Sequence, residues 1–168
     1  LAGKRVAVIG VGASGAQVSR MGLGTLSWGT GTDAEEAANQ LVAFVDAGGT
    51  LVDTADVYGD GESERILGSL LADLVPREDI VLATKAAARR EAGPFGGGAS
   101  RGSLLAALDG SLRRLGVDHI DLWQVHAWDP AVPIEETLSA LDHAVTSGKV
   151  RYVGVSNYAG WQLATAAC

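Results

Sequence analysis

The sequence has one cysteine, Cys168, among its 168 residues. No disulfide can form within it, and cysteine cannot build a metal site. It has no basic run: Lys and Arg number 13 against 20 Asp and Glu, a net charge of −7. Such an acidic chain is poorly suited to nucleic acid or to an anionic membrane surface, and neither is expected as a partner. No apolar stretch reaches the ~18 residues that can span a bilayer. The first residues lack the apolar core and cleavage site of a secretory signal. With 47% apolar and 20% charged residues, disorder is excluded and a core can form. The expectation is a soluble, cytoplasmic chain of one domain's length. Glycine is plentiful at 23 residues, about twice the usual ~7%, which points to tight turns and close backbone approaches.

Four short apolar runs recur along the chain: Thr50–Val52, Ile80–Ala83, Ile120–Val125 and Val150–Val155. A fifth, Met21 to Trp28, precedes them and is richer in glycine. Short apolar runs bounded by turn residues predict buried strands. Between them the apolar residues take a helical period. Leu41, Phe44 and Val45 share a face, as do Leu67, Leu70, Leu71 and Leu74. Two further faces carry Leu104, Leu108, Leu112 and Leu115, and Leu138, Leu141 and Val145. Asp33 with Glu36 forms a capping-box pattern, and Pro133 suits a first helical turn. Gly48-Gly49, Gly116 and Gly148 stand where helices stop. Strand and helix alternate, which predicts a parallel sheet with covered faces: an open doubly wound sheet or a (β/α)8 barrel.

Chemistry concentrates at the strand ends. Asp53 follows the run ending at Val52, with Tyr58 on the same loop. Lys85 follows Ala83, His126 follows Val125, and Ser156-Asn157 follows Val155. The C-terminal ends of parallel strands lie on one side, where α/β folds build their sites. A tyrosine beside a lysine is a general acid whose phenolate the cation stabilises. A carboxylate beside the lysine keeps it charged and placed, and a histidine can orient a substrate oxygen. The set suits protonation of a carbonyl oxygen and requires a hydride donor from a cofactor. No metal is called for: His119 and His143 lack companions at metal spacing and read as surface or helix-end residues.

These residues sit in stretches that resemble the aldo-keto reductase family. The matching segments are MGLGTLSWG (21–29), DTADVYGDGESERILG (53–68), VLATK (81–85), RGSLLAALDGSLRRLGVDHIDLWQVHAWD (101–129) and SGKVRYVGVSNY (147–158). They cover about residues 16 to 165 in family order. The resemblance implies a (β/α)8 barrel, here incomplete, with about five of the eight β/α units. It implies a partition into an N-terminal hairpin or junction (1–20) and a partial barrel (21–168). It implies NADPH-dependent reduction of a small aldehyde or ketone to an alcohol. By motif, Asp53, Tyr58, Lys85 and His126 would be catalytic, with Tyr58 the proton donor. Ser156, Asn157 and Gln124 would contact the cofactor, and Trp28 and Trp128 would wall the substrate pocket. The motif style is closer to bacterial reductases and potassium-channel β-subunits than to aldose reductases. Two alternatives therefore stand beside the enzyme: a cofactor-sensing module without turnover, and an inactive fragment. An incomplete barrel would leave an open edge, for which a second copy of the chain is an expected partner.

The segment before the barrel carries Gly10-x-Gly12-x-x-Gly15 after the apolar run Val6 to Ile9, which has the form of a dinucleotide fingerprint. That fingerprint leads into a helix of several turns, and here the next strand-like run begins too soon. A hairpin or junction is the expected reading; a nucleotide site and a fusion scar are the alternatives. Other polar clusters are expected to be structural. Glu62-Ser63-Glu64 reads as a helix N-terminus. Arg113-Arg114 and Arg89-Arg90-Glu91 read as solvated, Trp123 as core, and Ser156 has no base to make it a nucleophile.

Overall fold

The computed structural model describes residues 8–10, 14–88, 93, 95 and 97–167. Two short strands, β1 (Val8–Gly10) and β2 (Gln17–Ser19), pair antiparallel. Five strands follow: β3 (Gly22–Gly24), β4 (Leu51–Asp53), β5 (Val81–Ala86), β6 (Ile120–Val125) and β7 (Val150–Val155). They form one parallel sheet in the order β3-β4-β5-β6-β7. Helices α1 (Ala34–Asp46), α2 (Glu62–Asp73), α3 (Arg101–Leu115), α4 (Ile134–Thr146) and α5 (Gly160–Ala167) each follow one strand. Sequential parallel order, without a reversal, is that of a barrel wall rather than of a doubly wound sheet. The molecule is an incomplete (β/α)8 barrel. Among the described residues, no helix is long and apolar enough to cross a membrane.

The helix faces read from the sequence pack as a layer on one side of the sheet. Leu41, Leu67, Leu70, Leu71, Leu104, Leu108, Leu115 and Leu141 are buried, with Phe44, Val45, Leu112 and Leu138 packed against them. Leu74 differs. It is the C-cap of α2 rather than part of its last turn, so it leaves the buried face and is exposed. The caps follow the sequence signals. The Asp33 carboxylate accepts from the Glu36 amide at 2.9 Å, satisfying a free donor of the first turn. Gly116 ends α3 at φ 66°, a left-handed conformation that favours glycine. Pro133 sits one residue earlier than expected, as the N-cap of α4. The run from Met21 to Trp28 is strand only over Gly22–Gly24; the rest turns back on itself, with Gly31 and Thr32 amides both reaching the Ser27 carbonyl.

The hairpin and the barrel strands meet at one end. Ser19 and Thr50 exchange hydrogen bonds, amide to hydroxyl in both directions at 2.9 Å. Thr50 precedes Leu51, the first residue of β4. The hairpin therefore lies at the N-terminal ends of the strands. The strand after Gly15 runs antiparallel to the strand before it, and the first helix begins only at Ala34. A dinucleotide fingerprint needs a strand–turn–helix there. Gly12 and the first two residues of the apolar run, Val6 and Ala7, lie outside the described residues, as do Arg89, Arg90, Glu91 and Cys168.

Arg114, expected in solvent, is instead half-buried in an ion pair. Its Nε donates to Glu64 Oε2 at 2.7 Å, and Nη2 lies 2.7 Å from the same oxygen in the ion pair. Glu64 is fully buried, and its other oxygen accepts from Thr84 Oγ1 at 2.6 Å. One carboxylate thus joins α2, α3 and β5. The close approach depends on Gly68: a Cβ there would fall 2.7 Å from the carbonyl oxygens of Arg114 and Leu115. Removing one partner of a buried pair strands the other charge. Arg114→Met is expected to cost about 3 kcal/mol of stability in urea unfolding, and a companion Glu64→Gln change should recover part of it. A loss well under ~1 kcal/mol would show that Glu64 does not need its partner.

Candidate active site

The site begins with strand register. Lys85 on β5 pairs with Gln124 on β6, which pairs with Gly154 on β7. Asp53 on β4 pairs with Ala83, two residues before Lys85. Side chains alternate across a sheet, and partners in register share a face. Asp53, Lys85 and Gln124 therefore project from one face, while Thr84 points to the other, where it meets Glu64. Lys85 lies inside β5, not beyond it, because the strand continues to Ala86.

The Lys85 side chain is 8% exposed. An ammonium so enclosed must find acceptors. It donates to Asp53 Oδ2 at 2.5 Å, to the Thr54 carbonyl at 2.9 Å and to the Tyr58 hydroxyl at 3.4 Å. Three acceptors match its three hydrogens. The other Asp53 oxygen accepts from Gln124 Nε2 at 3.4 Å. Gln124, expected at the cofactor, here braces the carboxylate.

Tyr58 opens a tight 3-10 turn, Tyr58–Gly61, whose Gly59, Asp60 and Gly61 all take positive φ. The turn is held over the end of β4 by the Tyr58 amide, which donates to the Ala55 carbonyl at 3.2 Å. His126 extends the sheet ladder: its amide donates to the Ala86 carbonyl at 2.8 Å. Its ring meets Tyr58 edge-on, with centroids 5.9 Å apart. Burial holds the His126 imidazole below the ordinary value of 6.5; Lys85 adds to this and Asp53 opposes it. The uncharged ring is therefore favoured near neutral pH.

Ser156 and Asn157 close the rim beyond β7. The Ser156 amide donates to the Val125 carbonyl at 2.8 Å. Asn157 has φ 57°, and its Nδ2 donates to the His126 carbonyl at 2.9 Å and to Ser156 Oγ at 3.1 Å. Trp128 packs edge-on to Tyr158 at 5.3 Å and to Trp161 at 5.5 Å. Trp28 departs from expectation. It is 0% exposed, sits in the core cluster, and its indole donates to Gln40 Oε1 at 2.9 Å. A ring so enclosed presents no wall to a substrate. Trp123 is a core residue, as read from the sequence.

Sequence reasoning missed the support behind the site. Ser63 Oγ lies 2.6 Å from Thr25 Oγ1 and 2.9 Å from Thr54 Oγ1, a buried hydroxyl chain joining α2 to the ends of β3 and β4. A signal was available: Ser63 and Glu64 stand four and three residues before Leu67, on its helical face. His119 also titrates low, chiefly through burial and then Arg77 and Arg151, with Asp121 opposing. The sign follows from linkage. A histidine lowered in the folded state binds fewer protons there than when unfolded. Its stabilising contribution is full above 6.5 and is lost as pH falls below that value. Between about pH 7.5 and about pH 5 the melting temperature is expected to fall less in His126→Asn than in the wild type. Equal slopes would show that His126 is not held low.

The comparisons with known proteins agree with this fold. The Aldo/keto reductase family profile matches residues 20–168. Aldo-keto reductase YhdN of Bacillus subtilis is 40% identical over 157 residues, covering 90% of this chain and 47% of that protein. L-glyceraldehyde 3-phosphate reductase of Escherichia coli is 44% identical over 117 residues, covering 67% of this chain and 34% of that protein. The holo form of aldo-keto reductase AKR11C1 from Bacillus halodurans superposes with a TM-score of 0.81 at 35% identity, covering 91% of this chain and 51% of that one. The chain thus spans about half the length, or less, of these relatives. A parallel barrel wall, a rim that gathers Asp53, Tyr58, Lys85 and His126, and a matching profile lead to one conclusion: the chain belongs to the aldo/keto reductase family.

Proposed function

We propose that this chain carries the proton-donating rim of a cytoplasmic, NADPH-dependent reductase that converts a small aldehyde or ketone to an alcohol. The observation that carries the reading is the single Lys85 ammonium donating to both Asp53 and Tyr58. Because Lys85 donates to the tyrosine oxygen, the phenolic hydrogen is left to point elsewhere. Tyr58 gives that hydrogen to the carbonyl oxygen. Lys85 then steadies the negative charge left on the phenolate, and Asp53 keeps Lys85 in place. His126, favoured uncharged, orients the carbonyl by hydrogen bonding without competing as the acid.

The residues at the end of β7 fit a nicotinamide carboxamide. Asn157 has both amide hydrogens engaged and keeps Oδ1 as an acceptor for the carboxamide amine. Ser156 offers a hydroxyl beside it. NADPH, when bound, supplies the hydride for the carbonyl carbon. Trp128, half-buried on the loop after His126, is the aromatic surface for the substrate. Relatives named as reductases of L-glyceraldehyde 3-phosphate and of norsolorinic acid support a carbonyl substrate.

Tyr58→Phe removes the proton donor and little else. It is expected to lower NADPH-dependent reduction of an aldehyde panel by ~10²-fold or more, with NADPH affinity unchanged. Reduction at the wild-type rate would contradict the role of Tyr58. Binding without turnover in the wild type would favour a cofactor-sensing module.

A further inference from the structure

The backbone of His126 is held from both sides. Its amide donates to the Ala86 carbonyl of β5 at 2.8 Å. Its carbonyl accepts from the Asn157 side chain, beyond β7, at 2.9 Å. The ring itself is less constrained. Its Nδ1 is buried and has no hydrogen-bond partner among the described residues. Its ring contact is the edge-on meeting with Tyr58, centroids 5.9 Å apart. A ring whose buried nitrogen is not tethered takes its direction from the backbone that carries it.

Asn157 is shaped for that task. Its φ of 57° is a left-handed conformation, which asparagine adopts more readily than most residues other than glycine. The turn brings Nδ2 back across the sheet edge to the neighbouring strand's end. It continues β6–β7 pairing by one bond past Ser156, whose amide makes the last backbone bond to Val125. Ser156 Oγ, accepting from Nδ2 at 3.1 Å, fixes the amide's orientation.

We infer that Asn157 is a positioning residue for His126: by donating to the His126 carbonyl it fixes the backbone from which the imidazole projects toward Tyr58. This rests on the proposed role of His126 as the group that orients the carbonyl. It gives Asn157 a task in the free chain, before any cofactor arrives. The end of β7 and the histidine after β6 then move as one unit, so a ligand engaging Asn157 acts on His126 through a single hydrogen bond.

Asn157→Gly separates the two properties of this residue. Glycine keeps the positive φ at no steric cost and removes the side chain with its donor, which in the ligand-free chain is what holds the His126 carbonyl. The readout is NMR of the ligand-free chain: the His126 imidazole titration and the His126 carbonyl carbon shift. The groups facing the ring are Lys85, Asp53 and Tyr58, none of which the substitution changes. In the variant the carbonyl resonance is expected to move and the imidazole to titrate higher by about half a pH unit or more, as the ring gains solvent. Wild-type values for both would overturn the inference. Should the glycine variant melt early, Asn157→Asp keeps shape and φ while losing the donor. The His126 carbonyl shift is then expected to move in the same way, and an unmoved resonance would again overturn the inference. Neither signal depends on turnover. A chain that binds NADPH and reduces aldehydes, yet shows no change at His126, would lose this inference and keep the proposed function.

Discussion

The buried Lys85 ammonium is the constraint on which the site depends. A cation that is almost fully enclosed must be surrounded by acceptors or give up its charge. Here the acceptors come from three places: the Asp53 carboxylate, the Thr54 carbonyl and the Tyr58 hydroxyl. All three lie on β4 and the loop that follows it. They reach Lys85 only if β4 and β5 run parallel in the observed register. A one-residue slip would turn Lys85 toward the helices and Thr84 toward the rim. The charge therefore specifies register as well as chemistry.

β5 meets opposite demands on its two faces. On the helix side Thr84 donates to Glu64, which Arg114 neutralises. On the other side Lys85 is met by Asp53, itself braced by Gln124. Two adjacent residues are thus pinned to separate networks, and the strand has little freedom to rotate. Behind Tyr58, the Thr25–Ser63–Thr54 hydroxyls fasten the start of α2 to the strand ends. Acting as the proposed general acid, Tyr58 needs placement to within a fraction of an ångström. That placement comes from polar groups that hydrogen-bond to one another inside the fold.

Much of this is legible in the sequence because period and position carry it. Five apolar runs separated by helical faces set the alternating order, and polar residues at their ends mark the rim. Family resemblance chooses the barrel over the open sheet, which periodicity alone leaves open. Three features escape. Trp28 reads as a pocket residue through the family resemblance, but the turn at Ser27–Thr32 carries its ring inward to Gln40. Arg114 reads as solvated because adjacent arginines usually are; its partner Glu64 is 50 residues away in sequence. The contact of Gln124 with Asp53 spans two strands and 71 residues, and only the register reveals it. Each of these depends on a tertiary neighbour, which local pattern does not encode.

The central proposal is that this rim, as assembled in the chain itself, accepts a nicotinamide cofactor beside Tyr58. Its most direct test is a titration of the purified chain with NADPH, followed by tryptophan fluorescence. Trp128 stands on the loop after His126, in contact with Tyr158 and Trp161. The account predicts saturable quenching that is lost when Trp128 is replaced by Phe. A flat titration, with the chain shown folded by circular dichroism, would contradict it.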